Sequence, residues 1–299
     1  DVPGFAVADP RIVENPKFID VITYRELREL SYMGATVLHQ DAIFPVRKEG
    51  IPINIRNTNR PQDKGTFIVE STCKKPKYTI TGIAGKKDFA SITIEKAMMN
   101  SEIGFCRRVL QVFEDNDISI EHMPSGIDTM TVFVHQSEFQ ENEQKVLAGI
   151  HQAVQPDNIE LESDLSLIAI VGRGMRSKRG TSGRVFSALA HSHVNVKMID
   201  QGSSEMNVLV GIENDNFEKG IAAIYKEFNS SLNILSASFV SIVLTISPFL
   251  KIIALLPAPA IPISACFPSP GPFTTQPITA TVIFLSNDNN SFCHLSTKP

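Results

Sequence analysis

A basic excess is the first thing this sequence lacks. Its 28 Lys and Arg stand against 32 Asp and Glu, for a net charge of −4. No cationic surplus exists to neutralise phosphates, so a nucleic-acid partner is not expected. Cysteine is scarce too: the four residues Cys73, Cys106, Cys266 and Cys293 are irregularly spaced and make no disulfide framework. With no CxxC pair and no Cys/His cluster, no metal site is expected either, and a reducing cytosol is the expected compartment. No secretory signal is expected before the fold. An initiator Met is also missing. The chain opens on turn-like Asp1-Val2-Pro3-Gly4, so it is expected to be a fragment of a longer protein.

What is present divides unevenly. The 299 residues have room for about two domains, and 42% hydrophobic with 20% charged residues fits a globular chain. Nearly all the charge lies before Phe228-Asn229. The last seventy residues hold only Lys251, Asp288 and Lys298 as formal charges, and half of the eighteen prolines. Within them Leu232 to Leu250 is an uncharged run of nearly membrane-spanning length, followed by Ile252 to Leu256. Pro248, the many serines and the Pro-rich stretch from Pro257 to Pro277 oppose a span, so 229–299 is expected to be an extension without a stable fold. A membrane-tethered sensor is the rival reading of this run.

The strongest signal is self-similarity at a fixed offset of seventy-six residues. Ile92 to Val134 aligns with Ile168 to Val210 without a gap. Met99 falls on Met175, Gly104 on Gly180, Arg108 on Arg184, Gly126 on Gly202, and Val134 on Val210. Each copy predicts the same order of elements. Ser91–Ile94 and Leu167–Ile170 are β-branched and strand-like. Val109, Leu110, Val112 and Phe113, like Val185, Phe186 and Leu189, recur at helical spacing. Ile118-Ser119-Ile120 and Val194-Asn195-Val196 alternate as strands do. Met130–Val134 and Met206–Val210 return as a third strand after a Gly-containing turn. Helices over Glu141–Ala153 and Phe217–Phe228 follow, and Asn158–Glu162 is the expected last strand of the first copy.

This βαββαβ order is the ferredoxin-like arrangement, an antiparallel sheet with helices on one face. The second copy has no closing strand after Phe228, and Tyr78-Thr79-Ile80-Thr81-Gly82-Ile83 is a candidate for that edge. The first module would then sit inside the second.

At the first strand-to-helix junction, Asn100-Ser101-Glu102-Ile103-Gly104-Phe105 places small residues before a helix start. N–H groups there favour an anion such as an amino acid's α-carboxylate. Glu121 and Asp128 would meet an ammonium group, and Ser119 and Thr129 would add polar contacts. The bland alternative is a turn tightened by Gly104 beside solvated acids. In the second copy, Gly172-Arg173-Gly174-Met175-Arg176 lacks both the GxGxxG spacing and the P-loop Lys-Ser/Thr pair. It is expected to pack against the neighbouring module. Gln201-Gly202-Ser203-Ser204-Glu205 is polar enough to line a pocket or an interface.

These residues resemble a known family. Asp1-Val2-Pro3-Gly4-Phe5 with Ala8-Asp9-Pro10-Arg11 resembles the nucleotide-side segment of aspartate kinases. Glu29-Leu30-Ser31-Tyr32-Met33-Gly34-Ala35 with Val37-Leu38-His39 is similar to one of their helices. Ile53–Thr58 and Gly65-Thr66 resemble the strand and turn that close the kinase domain. The repeats look like the family's tandem ACT domains. Met123-Pro124-Ser125-Gly126-Ile127-Asp128 is most like the lysine-regulated Gram-positive branch, and Gln201–Asn207 is close to a QGSSE-hydrophobic-N motif. Ala6 and Thr36 stand where many members carry Tyr and Lys. The resemblance covers residues 1 to about 228.

It implies an α/β fold with a C-terminal remnant of the amino-acid-kinase domain over 1–70. An α+β regulatory part follows, with ACT modules at 78–162 and 163–228. It further implies ATP-dependent phosphorylation of the L-aspartate β-carboxylate with Mg2+, and no prosthetic group. Asp1 and Arg11 would contact ATP while Asp9 shapes that loop. Lysine, with or without threonine, would bind as effector at Met99, Ser101, Gly104, Phe105, Ser119, Ile120, Glu121, Asp128 and Thr129. A homodimer through the ACT modules is implied. The family's N-terminal lysine loop and aspartate-binding residues are absent from these 299 residues, so no kinase activity is expected of the chain alone. A stand-alone amino-acid-binding regulatory subunit is the alternative.

Overall fold

The computed structural model describes residues 2–35, 40–72, 76, 78–230, 239–247, 250–257 and 279–283. Asp1, Thr36, Val37-Leu38-His39 and Cys73 therefore lie outside the described residues. The chain divides into two units, 1–228 and 229–299. The fold of the first is mixed α/β.

The amino-terminal part holds β1 (Val21–Thr23), α1 (Tyr24–Tyr32), α2 (Gln40–Lys48), β2 (Ile53–Ile55) and β3 (Thr66–Val69). A small sheet runs in the order β1-β3-β2. Helix α1 starts for a reason visible in the chain. Thr23 caps it, its hydroxyl accepting from the Glu26 N–H while Glu26 reaches back to the Thr23 N–H, a capping box. Leu27 and Leu30, three apart, are then buried on one face.

The regulatory part is built from β4 (Gly82–Glu95), α3 (Phe105–Glu114), β5 (Ile120–His122), β6 (Thr129–His135), α4 (Gln136–Val154), β7 (Asn158–Val171), α5 (Thr181–His191), β8 (Met198–Asp200), β9 (Asn207–Glu213) and α6 (Phe217–Ser230). Its strands form one six-stranded sheet in the order β5-β6-β4-β7-β9-β8, antiparallel throughout.

The two long central strands each serve both halves. Phe89–Glu95 of β4 pairs with β6 and with Asn158–Leu165 of β7. Gly82–Lys86, at the other end of β4, pairs instead with Leu167–Val171. A strand from before the first copy thus lies beside the first strand of the second. The long strands change register near Asp88 and Asp164, both at positive φ (68° and 57°) and seventy-six residues apart. The repeat is written into the backbone elsewhere too: Gly104 and Gly180 have φ of 81° and 79°, Asp117 and His193 of 55° and 53°.

Three cores result. Helices α3 and α4 cover Ile92, Ile94, Met130 and Val132 of the first half, while α5 and α6 cover Ile168, Ile170, Val208 and Val210 of the second. Helix α1 packs through Leu27 and Leu30 on the opposite face, with Phe89, Leu165, Leu167 and Leu209. The outer strands β5 and β8 approach one another, His122 Nδ1 lying 3.1 Å from Asp200 Oδ2.

Two expected strands are displaced. Ile118 and Val194 belong to helix stops rather than strands. The Asp117 and His193 N–H groups donate to Glu114 O and Ala190 O, and those of Ile118 and Val194 to Phe113 O and Leu189 O. With left-handed Asp117 and His193 this is a Schellman motif, whose following residue is characteristically apolar. The alternating pattern is a helix cap's hydrophobic contact, and the strands begin later, at Ile120 and Met198. Asn158–Glu162, expected as a separate strand, is continuous with the next in β7.

In the second unit, read from sequence as lacking a stable fold, β10 (Phe239–Ser247), β11 (Leu250–Pro257) and β12 (Thr279–Ile283) form an antiparallel sheet in the order β11-β10-β12. Most of the apolar run from Leu232 that falls within the described residues is strand, and none of the described helices is long and apolar enough to cross a membrane.

Candidate functional site

The loop from the end of β4 to the start of α3 is held open by specific bonds. Asp128 straps it: its Oδ1 accepts from the Met98 N–H at 3.0 Å and its carbonyl accepts from the Lys96 N–H at 2.9 Å. The Ala97 N–H donates to Asp157 Oδ2 at 2.7 Å. Met98 adopts a left-handed backbone (φ 64°), a conformation that costs an L residue without local compensation. Gly104, also left-handed, caps α3. Just inside, Glu102 pairs with Lys96 at 2.7 Å and with Arg108. Its hydrogen bond from Lys96 holds its carboxyl below the ordinary range, against a smaller opposing effect of burial.

The structure therefore groups Met99, Ser101, Gly104, Phe105 and Asp128, while the Thr129 side chain lies on the other face of the sheet, lining a cleft with Thr131 and Lys197. Their roles differ. Met99 and Phe105 are buried in the first core, so they wall the site rather than line its opening. Ser101 and Asp128 are exposed. Thr129, opposite Glu95 in the sheet, fixes the turn through its carbonyl, which accepts from the Gly126 N–H. Ser119 and Ile120 lead into edge strand β5. The Ser119 N–H lies 3.4 Å from Glu138 Oε2, and Ile120 packs against the same core as Phe105. Exposed Met98, Ile103 and Ile127 complete an apolar rim.

Glu121 faces elsewhere. It sits where the pairing of β5 with β6 is irregular, between Ile120 and His122, and such irregularities re-aim side chains. Its carboxylate is only 5% exposed, with His135 Nε2 at 3.3 Å from Oε1. The Tyr32 hydroxyl donates to its Oε2 at 2.7 Å. Burial and this bond to a carboxylate push the Tyr32 phenol up to about 12. His135 in turn stacks on Phe89 with ring centroids 4.7 Å apart.

The residues expected at the nucleotide lie at the other end of the chain. Asp9 shapes its loop: it accepts from the Arg11 N–H at 2.8 Å and pairs with the guanidinium at 2.6 Å, while its carbonyl accepts from the Ile12 and Val13 N–H groups. The Arg11 hydrogen bond lowers the Asp9 carboxyl despite some desolvation. Arg11 is 87% exposed, and with Asp9 it borders a cleft formed also by Phe5, Leu30, Gly34 and Phe217. Asp1 lies outside the described residues.

A polar joint missed by sequence reasoning connects these parts. Glu26 has no exposed surface. It accepts from Thr23, from the Thr81 hydroxyl at 2.6 Å and from the Arg173 N–H at 3.1 Å, with the Arg173 guanidinium at 3.6 Å. Burial raises its pKa, but the hydrogen bonds from Thr81, Thr23 and Arg173 outweigh it, and the carboxyl lies below its ordinary value. One turn along, Glu29 accepts from the Asn207 amide at 2.9 Å. The only sequence signal was the Thr23-x-x-Glu26 capping spacing, which marks a helix start and not a joint. The loop Gly172-Arg173-Gly174 closes over this joint. A Cβ on Gly174 would fall 2.4 Å from the Tyr78 carbonyl and one on Gly172 2.7 Å from Thr81 N.

Comparison with known proteins matches residues 1–57 to the amino acid kinase family and residues 168–228 to an ACT domain. Aspartokinase 3 of Bacillus subtilis is 42% identical over 229 residues, covering 76% of this chain and 50% of that protein. Among solved structures, Clostridium acetobutylicum aspartate kinase superposes with a TM-score of 0.73 at 53% identity, covering 77% of this chain and 53% of that one. Escherichia coli aspartokinase III, solved with lysine and aspartate, shares the fold (TM-score 0.61, 23% identity, 76% of this chain and 50% of that one). The chain thus spans about half the length of the relatives it matches.

Proposed function

Because this chain belongs to the aspartokinase family, we propose that it is the amino-acid-sensing portion of an enzyme that phosphorylates the β-carboxylate of L-aspartate with ATP. On this reading residues 1–70 are the end of the kinase domain. Residues 78–162 and 163–228 are the ACT modules, with 78–84 contributing to the second, and 229–299 stand apart from the family fold.

The observation that carries the sensing role is the Asp128-strapped loop of the first module. It sets exposed Ser101 and Asp128 beside the start of α3, over buried Met99 and Phe105. An α-carboxylate is suited to the helix start and an ammonium group to Asp128. Lysine, alone or with threonine, is the effector we assign to it, in keeping with the lysine-bound relative of the same fold. Binding would favour an inactive kinase arrangement through differential affinity for two states. Unpaired outer strands make a homodimer the expected assembly, and the cytoplasm the expected location.

In the intact enzyme Arg11 would meet ATP phosphate, with Asp9 holding its loop in shape. Mg2+ would enter with the nucleotide in the intact enzyme. The chain alone should lack turnover. Titration calorimetry with L-lysine and L-threonine, alone and together, beside a coupled aspartate–ATP assay, tests both halves. Heat with either amino acid and no phosphorylation is expected. Silence with all of them sinks the sensing role, and turnover by the chain sinks the fragment reading.

A further inference from the structure

Helix α1 touches both modules through one run of side chains. Glu26 and Glu29 are bonded to Arg173 and Asn207 of the second module. Tyr32, two turns beyond Tyr24, is bonded to Glu121 of the first. Its ring also carries the Lys86 ammonium at 4.9 Å from the centroid, over the strand shared by both modules. Glu121 follows directly on Ser119 and Ile120 in β5, a three-residue outer strand paired on one side only. A short edge strand is among the least restrained elements of a sheet. The Tyr32–Glu121 bond, by contrast, is short: the hydroxyl of half-exposed Tyr32 reaches a carboxylate that is itself nearly buried beside His135, and a bond to an ionised acceptor is stronger than a neutral one.

We propose that Tyr32 is a positioning residue that reads the placement of β5 and passes it to α1, with Glu121 as the connecting group. The effector reading supplies the natural input, since a ligand beside Ser119 and Ile120 shifts β5, and in that respect this inference rests on it. The Glu26 and Glu29 bonds fix one end of α1 to the second module. A displaced β5 therefore acts on the Tyr32 end, and α1 tilts or loosens about its anchored end. Lys86 above the Tyr32 ring keeps that ring in place when Glu121 moves.

Hydrogen exchange on the full chain tests this in two arms. Without ligand, Ile120→Ala loosens β5 where it packs on the first core. Exchange at the amides of residues 29–33 should rise about three- to tenfold, in line with the loss of one partly exposed charge-assisted bond. Tyr32→Phe alone should give a similar rise, and Ile120→Ala/Tyr32→Phe no more than either single change. Additive effects, or no response of α1 to Ile120→Ala, overturn the inference. In the second arm L-lysine is added. Protection should change at both β5 and α1 in the wild type, but at β5 alone in Tyr32→Phe, with lysine affinity within about twofold. An α1 response that survives Tyr32→Phe overturns the inference. Lysine that moves neither element refutes the effector reading instead, and the ligand-free arm still decides the coupling.

Discussion

The two copies of the repeat share their helix caps and strand register but diverge in the loop before the helix, where Met98 is left-handed (φ 64°) and Gly174 is not (φ −69°). Met98 and Gly174 occupy equivalent positions, as do Gly104 and Gly180. In the first copy the loop stands open, with Met98 and Ile103 exposed and Asp128 holding it in shape. In the second, glycines let the loop close against Tyr78–Thr81 so tightly that no side chain fits, and Arg173 is drawn to buried Glu26. One duplicated element is the loop we assign to the ligand, the other a structural joint. The difference teaches that a repeat keeps its helix caps and strand register while the residues at two or three positions set the loop's backbone and contacts.

The comparison breaks most severely at the joint. Glu26→Ala leaves Arg173 facing a buried gap and should cost about 3 kcal/mol or more, read as a shift in the denaturation midpoint. Its pH dependence has a definite sign. The folded carboxyl lies below its ordinary value of 4.5, so its contribution is present above that pH and lost as pH falls through the lower folded value. Between pH 6 and 3 the wild type should therefore lose stability more steeply than Glu26→Gln, and parallel curves would refute the assignment.

Next in size is Gly174→Ala, expected to cost roughly 2 kcal/mol because the methyl group meets backbone that cannot move aside. The reverse exchange in the other copy, Met98→Gly, should lie within about 0.5 kcal/mol of neutral, since relief of the left-handed strain offsets added chain entropy. Gly104→Ala and Gly180→Ala sharpen what the copies share. Both residues sit near φ 80° with no close backbone neighbour, so each should cost about 1 kcal/mol. Unequal thermal shifts would mean the backbones are less alike than their angles.

The sequence carried most of the fold because the repeat preserved register: paired glycines, paired helix stops and paired apolar strands all follow the offset. It misassigned Ile118 and Val194 because an apolar residue after a helix cap and one opening a strand look the same without hydrogen bonds. The joint stayed hidden because Glu26, beside charged Arg25 and Arg28, reads as an ordinary exposed helix residue. Only the fold brings Thr81 and Arg173, distant in sequence, to its carboxylate. The candidate ligand loop was legible as a cluster, but Glu121 was not, since the irregular pairing that turns it toward Tyr32 leaves no trace in residue spacing.

The division of labour between the copies is tested most directly by one matched titration. Asp128→Ala and Ser204→Ala change equivalent positions in the open and closed copies. Calorimetry with L-lysine and L-threonine should show affinity reduced about tenfold or more by Asp128→Ala, the loss of a charge-assisted contact, and unchanged within about twofold by Ser204→Ala. Equal losses in both variants, or a loss confined to Ser204→Ala, would contradict the account.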